Sequence, residues 1–239
     1  MFRTGKRSIA RVIAASALVA VLGAGFAAAP VAISSPAHAQ GAKKHPGKKL
    51  YLRRTCMACH GKGGSKAIQD YPNIAGQDKK YMIDQIEDIL SGKRTGSPDA
   101  TGNPRAEGMR GALVTAEGTL RVTADEIKEI VDWLVDQPVA APKPLDPPIT
   151  EEQIAAGEKA YKKGKCQTCH GKEGLKPLKG YPIIAGQKRS YIVAQMTDIR
   201  DGHRKNGKSK LMLSFVKKMD DATIGTLADY LSQIDRTAN

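Results

Sequence analysis

Aromatic side chains are scarce in this chain: three Phe and one Trp among 239 residues, with aromatics at 5% in all. A chain of that length supports one or two domains with real cores. Cores so poor in aromatics need another bulky filling. Cysteine is also scarce, with four residues, all of them in two CxxC pairs. Strictly alternating apolar and polar runs are missing, which argues against a β architecture. Beyond the first 40 residues there is no apolar run approaching the roughly 20 residues that a transmembrane helix needs. Acidic residues are outnumbered, 24 against 38 Lys and Arg, so the formal charge is +14.

The N-terminal stretch reads as an export signal rather than as part of the fold. Arg3, Lys6, Arg7 and Arg11 form a basic start, residues 12–26 are apolar and Ala-rich, and Ala37-His38-Ala39 is a small-x-small site. Cleavage before Gln40 is expected, with residues 1–39 removed and the mature protein in the periplasm. The competing reading is an uncleaved anchor, but the apolar run is short and ends in Pro30 and Pro36. Removing the four charges of the leader leaves a mature chain of about +10. An exported basic surface argues against nucleic acid. It favours an acidic redox partner, such as a membrane-bound oxidase or dehydrogenase, or docking on a membrane face. A monomer is expected.

The chain repeats itself. At a shift of 110 positions, residues 47–94 overlay a second segment without gaps. Gly47 meets Gly157, Tyr51 meets Tyr161, and Cys56, Cys59 and His60 meet Cys166, Cys169 and His170. Tyr71-Pro72 meets Tyr181-Pro182, and Ile74-Ala75-Gly76-Gln77 meets Ile184-Ala185-Gly186-Gln187. Further on, Ile127, Ile130, Val131, Trp133 and Leu134 meet Ile224, Leu227, Ala228, Tyr230 and Leu231 at a shift of 97. The first half thus holds 13 extra residues between Arg94 and Ile127. Two domains are expected, 40–136 and 150–239. Between them residues 137–149 carry five Pro and read as a semi-rigid extended linker. Both halves read as helical. Thr150-Glu151-Glu152-Gln153 and Thr123-Ala124-Asp125-Glu126 are capping boxes. Ile127, Ile130, Val131 and Leu134 fall on one helix face. Residues 81–90 and 191–199 are further expected helices.

The two cysteine pairs each run directly into a histidine: Cys56-Met57-Ala58-Cys59-His60 and Cys166-Gln167-Thr168-Cys169-His170. C-x-x-C-H is the attachment signal for heme c. Each thiol adds across one vinyl group, the spacing matches the two vinyls, and the adjacent His becomes the proximal iron ligand. Two covalent hemes would also fill the aromatic-poor cores. The rival readings are weaker. A zinc site has C-x-x-C pairs, but these pairs lie 110 residues apart in separate repeats. Redox-active CxxC disulfides need neither the His nor the duplication.

Methionine is the usual distal partner of His in electron-transfer cytochromes c and raises the potential. Met212 precedes the last helix, where a loop is expected to reach across the second heme. Met196 reads as core, and Met219 as packing at the helix mouth. In the first half Met109 has the matching place, Met82 reads as core, and Met57 lies within the attachment turn. The region from 112 to 121 is longer than its counterpart. Pro72 and Pro182, each 12 residues after a proximal His, are candidates to offer their carbonyls to the second imidazole nitrogen. Arg94, Arg204, Tyr81 and Tyr191 could meet propionates or simply pack. His203 reads as a solvated side chain, and Lys43, Lys44, Lys48 and Lys49 as a basic cluster near the mature terminus.

Taken together, the two CxxCH sites, the Tyr-Pro-x-Ile-Ala-Gly-Gln segment after each, a Met before each last helix and the short linker resemble the diheme cytochrome c4 family, over residues 47–234. The resemblance implies an all-α fold of two class I cytochrome c domains packed about a pseudo-twofold axis with their hemes close together. It implies a crossing of first and last helices through Gly47 and Tyr51 against Trp133, and through Gly157 and Tyr161 against Tyr230. It also implies single-electron transport in the periplasm, often to a terminal oxidase, rather than catalysis. Two other readings stay open: the electron-accepting subunit of a dehydrogenase, and a diheme enzyme such as a peroxidase or a thiosulfate dehydrogenase.

Overall fold

A computed structural model describes residues 45–99 and 101–237. The expected leader at 1–39, and Lys43 and Lys44, lie outside the described residues. Among the described residues ten α-helices carry the fold, five in each half. The first half runs α1 (Pro46–Arg53), α2 (Cys56–His60), α3 (Lys79–Leu90), α4 (Glu107–Leu113) and α5 (Ala124–Val135). The second repeats the order as α6 (Glu151–Lys163), α7 (Gln167–His170), α8 (Arg189–Arg200), α9 (Ser209–Val216) and α10 (Asp221–Ser232). There is no β-strand among the described residues, only two isolated bridges, Pro98 with Pro104 and Val114 with Leu120.

The helix starts follow their local chemistry. Pro46 opens α1, where its missing N–H costs nothing. Thr123 and Thr150 form full capping boxes with Glu126 and Gln153, each pair satisfying two orphan donors. Asp78 accepts from the Tyr81 N–H at the head of α3. The apolar face of α5 then buries Ile127, Ile130, Val131 and Leu134.

Each half is built on a crossing of its first and last helices. At Gly47 an added β-carbon would overlap the Glu129 carbonyl oxygen and lie 2.7 Å from Trp133 Cβ. At Gly157 it would overlap Tyr230 Cβ and lie 2.9 Å from that ring's Cγ. Only glycine lets the helices approach this closely. One turn further, the fully buried Tyr51 packs against Trp133 with the rings tilted and their centroids 5.0 Å apart, and Tyr161 lies 6.2 Å from Tyr230. The crossing expected from the family resemblance is present in both halves.

The two halves meet through reciprocal hydrogen bonds. Gln77 Nε2 donates to the Ile183 carbonyl (2.8 Å), and the Ile183 N–H donates back to Gln77 Oε1 (2.7 Å). Gln187 makes the same pair with Asn73, at 2.8 and 3.0 Å. Arg94 donates to Tyr191 Oη and Gln195 Oε1 across the boundary, and Arg204 donates to Tyr81 Oη and Gln85 Oε1 in return. Bonds that recur with the halves exchanged are what a twofold axis requires. Residues 137–149 contain no helix or strand and pack against the domains, with Lys143 O accepting from Gln233 Nε2 (3.1 Å).

The crossings give a direct test. Gly157→Ala is expected to cost about 1–3 kcal/mol in guanidinium unfolding of the intact protein, as overpacking does. Gly111→Ala is the control, because an added β-carbon there meets nothing within 4 Å. That change, on exposed α4, is expected to be neutral or to stabilise by up to about 1 kcal/mol.

Candidate heme sites

The helix crossing positions the attachment turns. Tyr51 Oη donates to the Gly61 carbonyl (2.7 Å), one residue past His60, and Tyr161 Oη donates to the Gly171 carbonyl (2.8 Å). Gly61 and Gly171 turn the chain with φ of 72° and 75°, and an added β-carbon at either would collide with the carbonyl of Lys66 or Lys176. The next turn ends at Gly64 and Gly174. The Gly64 carbonyl accepts from both Ile74 and Ala75 N–H groups, and Gly174 accepts from Ile184 and Ala185. The Gly76 and Gly186 N–H groups then donate to Leu134 and Leu231 at the ends of the last helices. The Tyr-Pro-x-Ile-Ala-Gly segment is thereby pinned against the attachment turn.

That pinning delivers the proline carbonyls. His60 Nδ1 lies 3.0 Å from Pro72 O, and His170 Nδ1 lies 3.0 Å from Pro182 O. A carbonyl only accepts, so Nδ1 carries the proton and Nε2 keeps its lone pair. Both rings are buried, which pushes their pKa below the ordinary histidine value and keeps them neutral. A neutral imidazole with an oriented Nε2 is a metal ligand. All four cysteines are unpaired and half-buried. Burial pushes the Cys56 and Cys166 thiols up to about 11. Among the described residues no three His, Cys, Asp or Glu side chains gather as a zinc site would need.

A predominantly apolar cavity of about 650 Å³ runs through both halves, lined by His60, Cys59, Met109, His170, Cys166 and Met212, among others. Its chemistry fits the hemes that the motifs call for. Apolar walls suit the macrocycle, and thiols stand beside each imidazole. Two guanidiniums, the buried Arg204 and the half-buried Arg94, also line it without a salt bridge to any carboxylate among the described residues. Burial alone would raise the Tyr81 pKa, but Arg204 and Arg94 outweigh it and draw it down. Buried positive charge of this kind suits a group that brings its own carboxylates.

The methionines need a correction. Met109 lies on α4 and Met212 on α9, so both are carried by short helices rather than by loops. A helix fixes the direction of a side chain more firmly than a loop does. Both are half-buried and line the cavity. Met82 and Met196 are buried in the two cores, Met219 packs against the second, and Met57 is 45% exposed. His203 is exposed, and it is its backbone carbonyl that accepts from Thr95 and Gly96 of the other half.

The extra residues of the first half have two destinations. Those before α4 form a clasp on the second half: the Ser97 N–H donates to Asp198 Oδ1 (3.1 Å), and Arg105 Nε donates to Ser97 Oγ (3.1 Å). Those after α4 make a turn closed by the Val114–Leu120 bridge, with Val114 and Val122 buried against the core. Asp198 is 2% exposed and was not singled out from sequence, nor were Gln77 and Gln187 as interface residues. The glutamines had a signal: a polar residue repeated at one place in two otherwise apolar segments.

Comparison with known proteins agrees with this geometry. The family model for cytochrome c matches residues 45–138, and that for subunit III of cbb3-type cytochrome c oxidase matches residues 152–231. The chain is 30% identical to cytochrome c4 of Azotobacter vinelandii over 74% of its own length and 82% of the relative's. It is 29% identical to the thiosulfate dehydrogenase electron acceptor of Thiomonas intermedia, over 90% and 88%. It also resembles the crystal structure of reduced cytochrome c4 from Pseudomonas stutzeri, with 27% identity, a TM-score of 0.63, and coverage of 79% and 97%. The chain therefore carries two covalent heme c groups, attached at Cys56 and Cys59 and at Cys166 and Cys169.

Replacing Cys56 and Cys59 together by Ala should halve the heme content, from two per chain to one. A pyridine hemochrome assay against protein concentration reads this, and a retained second heme shows that the second half loads on its own.

Proposed function

The chain belongs to the cytochrome c4 family, and on that premise we propose that it is a periplasmic carrier of single electrons between a respiratory donor and an acceptor such as a terminal oxidase, in which His60 and Met109 would hold the iron of one heme and His170 and Met212 that of the other. Heme iron, when bound, supplies the one-electron Fe(III)/Fe(II) couple. The polypeptide does the rest. Pro72 and Pro182 fix the tautomer and direction of each imidazole. The buried walls exclude water. Met109 and Met212, held on helices and lining the cavity, would hold the iron from the other side and leave no position for a substrate.

The observation that carries this reading is the duplication of the complete set: the imidazole with its carbonyl, and a methionine on a short helix, occur in both halves around one cavity. A diheme enzyme needs its two sites to differ, one of them open or labile. The second reading, an electron-accepting subunit of a dehydrogenase, is favoured by the likeness to the acceptor protein of Thiomonas intermedia. It uses the same hemes in the same way and differs only in the donor. In either case the chain works with a redox partner.

Carbon monoxide tests the ligation. The dithionite-reduced protein is expected to show no change in its absorbance on exposure to the gas. Met212→Ala should then bind one CO per chain and lower the potential of one heme, since Met/His ligation raises it. Rapid binding of one CO by the unaltered protein would hand the lead to the enzyme reading, and Met109 would be the first ligand withdrawn.

A further inference from the structure

The two halves share an interior but not a surface. In the described part of the first half, residues 45–136 hold fourteen basic and thirteen acidic side chains, a net +1. Residues 150–237 of the second hold seventeen and ten, a net +7. The difference is concentrated around α9. Residues 203–219 carry six Lys and Arg and no acid, whereas residues 93–122, their counterpart, carry five and three.

Helix α9 also turns apolar side chains outward. Leu211 and Phe215, at i and i+4, share a helix face. They are 59% and 42% exposed and do not line the heme cavity, which Met212 between them does. Gly108 and Ala112 hold the corresponding places on α4. Around Leu211 and Phe215, Lys210, Lys217 and Lys218 replace Glu107, Val114 and Thr115, and all three lysines are exposed. Lys208 joins this helix to the attachment side of the second heme. Its Nζ lies 3.9 Å from the Tyr181 ring centroid and donates to the Lys179 carbonyl (3.0 Å). That brings Leu178, 56% exposed, and the exposed Lys176 and Lys179 to the start of α9. None of Lys176, Lys179, Lys210, Lys217 and Lys218 forms an ion pair among the described residues.

We propose that this apolar strip with its lysine rim, formed by α9 and the Leu178 loop, is the docking face for an acidic single-electron protein, and that electrons cross to or from that protein at the second heme. An apolar centre within a charged rim is the anatomy of a transient protein interface. The rim steers encounter and the centre holds the complex briefly. The helix that presents the face also carries Met212, so the partner is brought within one helix thickness, about 10 Å, of the second site. The proposal rests on the carrier reading and adds the face, the half and the charge of the partner.

The test is stopped-flow oxidation of a reduced flavodoxin, an acidic one-electron protein, by the oxidised holoprotein at low and high salt. Two variants change net charge equally. Lys210→Glu, Lys217→Glu and Lys218→Glu together alter the face. Lys48→Glu, Lys49→Glu and Lys128→Glu together alter the exposed first half. The face variant is expected to slow the second-order rate about tenfold or more at low salt and to lose most of the salt dependence, whereas the other slows it no more than about threefold. Leu211→Ser should raise the flavodoxin concentration at half-saturation while leaving the salt dependence intact. Heme potentials measured on each variant must stay unchanged. Equal slowing by the two triple variants overturns the proposal, as does a potential shift large enough to explain the rate. So does a face variant that keeps its flavodoxin kinetics but no longer pellets with phosphatidylglycerol vesicles, which would assign the lysines to a membrane surface. Failure of the carrier reading is separate and shows as carbon monoxide binding.

Discussion

The close approach of first and last helices at Gly47 and Gly157 governs the placement of every later element of the heme sites. Because the helices meet backbone to side chain there, Tyr51 and Tyr161 sit one turn on, buried under the crossing. From that place their hydroxyls reach the carbonyls just past the attachment motifs. The attachment turn fixes Gly64 and Gly174, whose carbonyls hold the Ile-Ala segment, and that segment holds the proline carbonyl on the histidine. Each hydrogen bond along this route is worth only about 1 kcal/mol net, but their directions add up. The imidazole is oriented by a chain of contacts that begins at a glycine without a side chain.

The same economy joins the halves. Buried glutamines reading the other half's backbone, and arginines reading its tyrosines and glutamines, occur once in each direction. Buried polar groups are tolerable only when their partners are complete, so this boundary resists sliding: a small shift would break bonds in both directions together. Where the symmetry lapses, charge has been exchanged for charge. Asp78 caps α3 and accepts from the Gly180 N–H. Its counterpart Lys188 cannot cap a helix N-terminus, and reaches instead to the carbonyls of Ala67 and Gln69. Both still tie one half to the attachment loop of the other.

Much of this was legible in sequence because it is local or repeated. The capping boxes are local chemistry. The attachment motifs are contiguous. The last-helix face follows from a 3.6-residue period, the spacing after the proximal His marked Pro72, and the family resemblance gave Gly47 and Tyr51 their place at the crossing. What escaped lies between segments distant in sequence. Asp198 reads as one more helical carboxylate until Ser97, a hundred residues earlier, is seen to donate to it. Lys188 looks like a solvated cation. The helical setting of Met109 and Met212 was missed for another reason: α4 and α9 are short, seven and eight residues, and their apolar period is too brief to register.

Duplication explains where the halves agree and where they differ. The interior must hold the same flat group twice, so glycine crossing, tyrosine, proline carbonyl and methionine all recur. The boundary must match itself, so glutamine and arginine recur with it. A surface facing solvent carries neither constraint, and it is there that Gly108 and Ala112 stand opposite Leu211 and Phe215, and Glu107 opposite Lys210. Solvated positions drift freely, but drift scatters charge and seldom exposes large apolar side chains in register on one helix face. A gain of leucine and phenylalanine on α9, with unpaired lysines on that helix and just past its end, is ordered in a way that drift is not. The repeated interior and the reciprocal boundary give the two sites nothing to tell them apart, and the unequal surface is what distinguishes one half from the other.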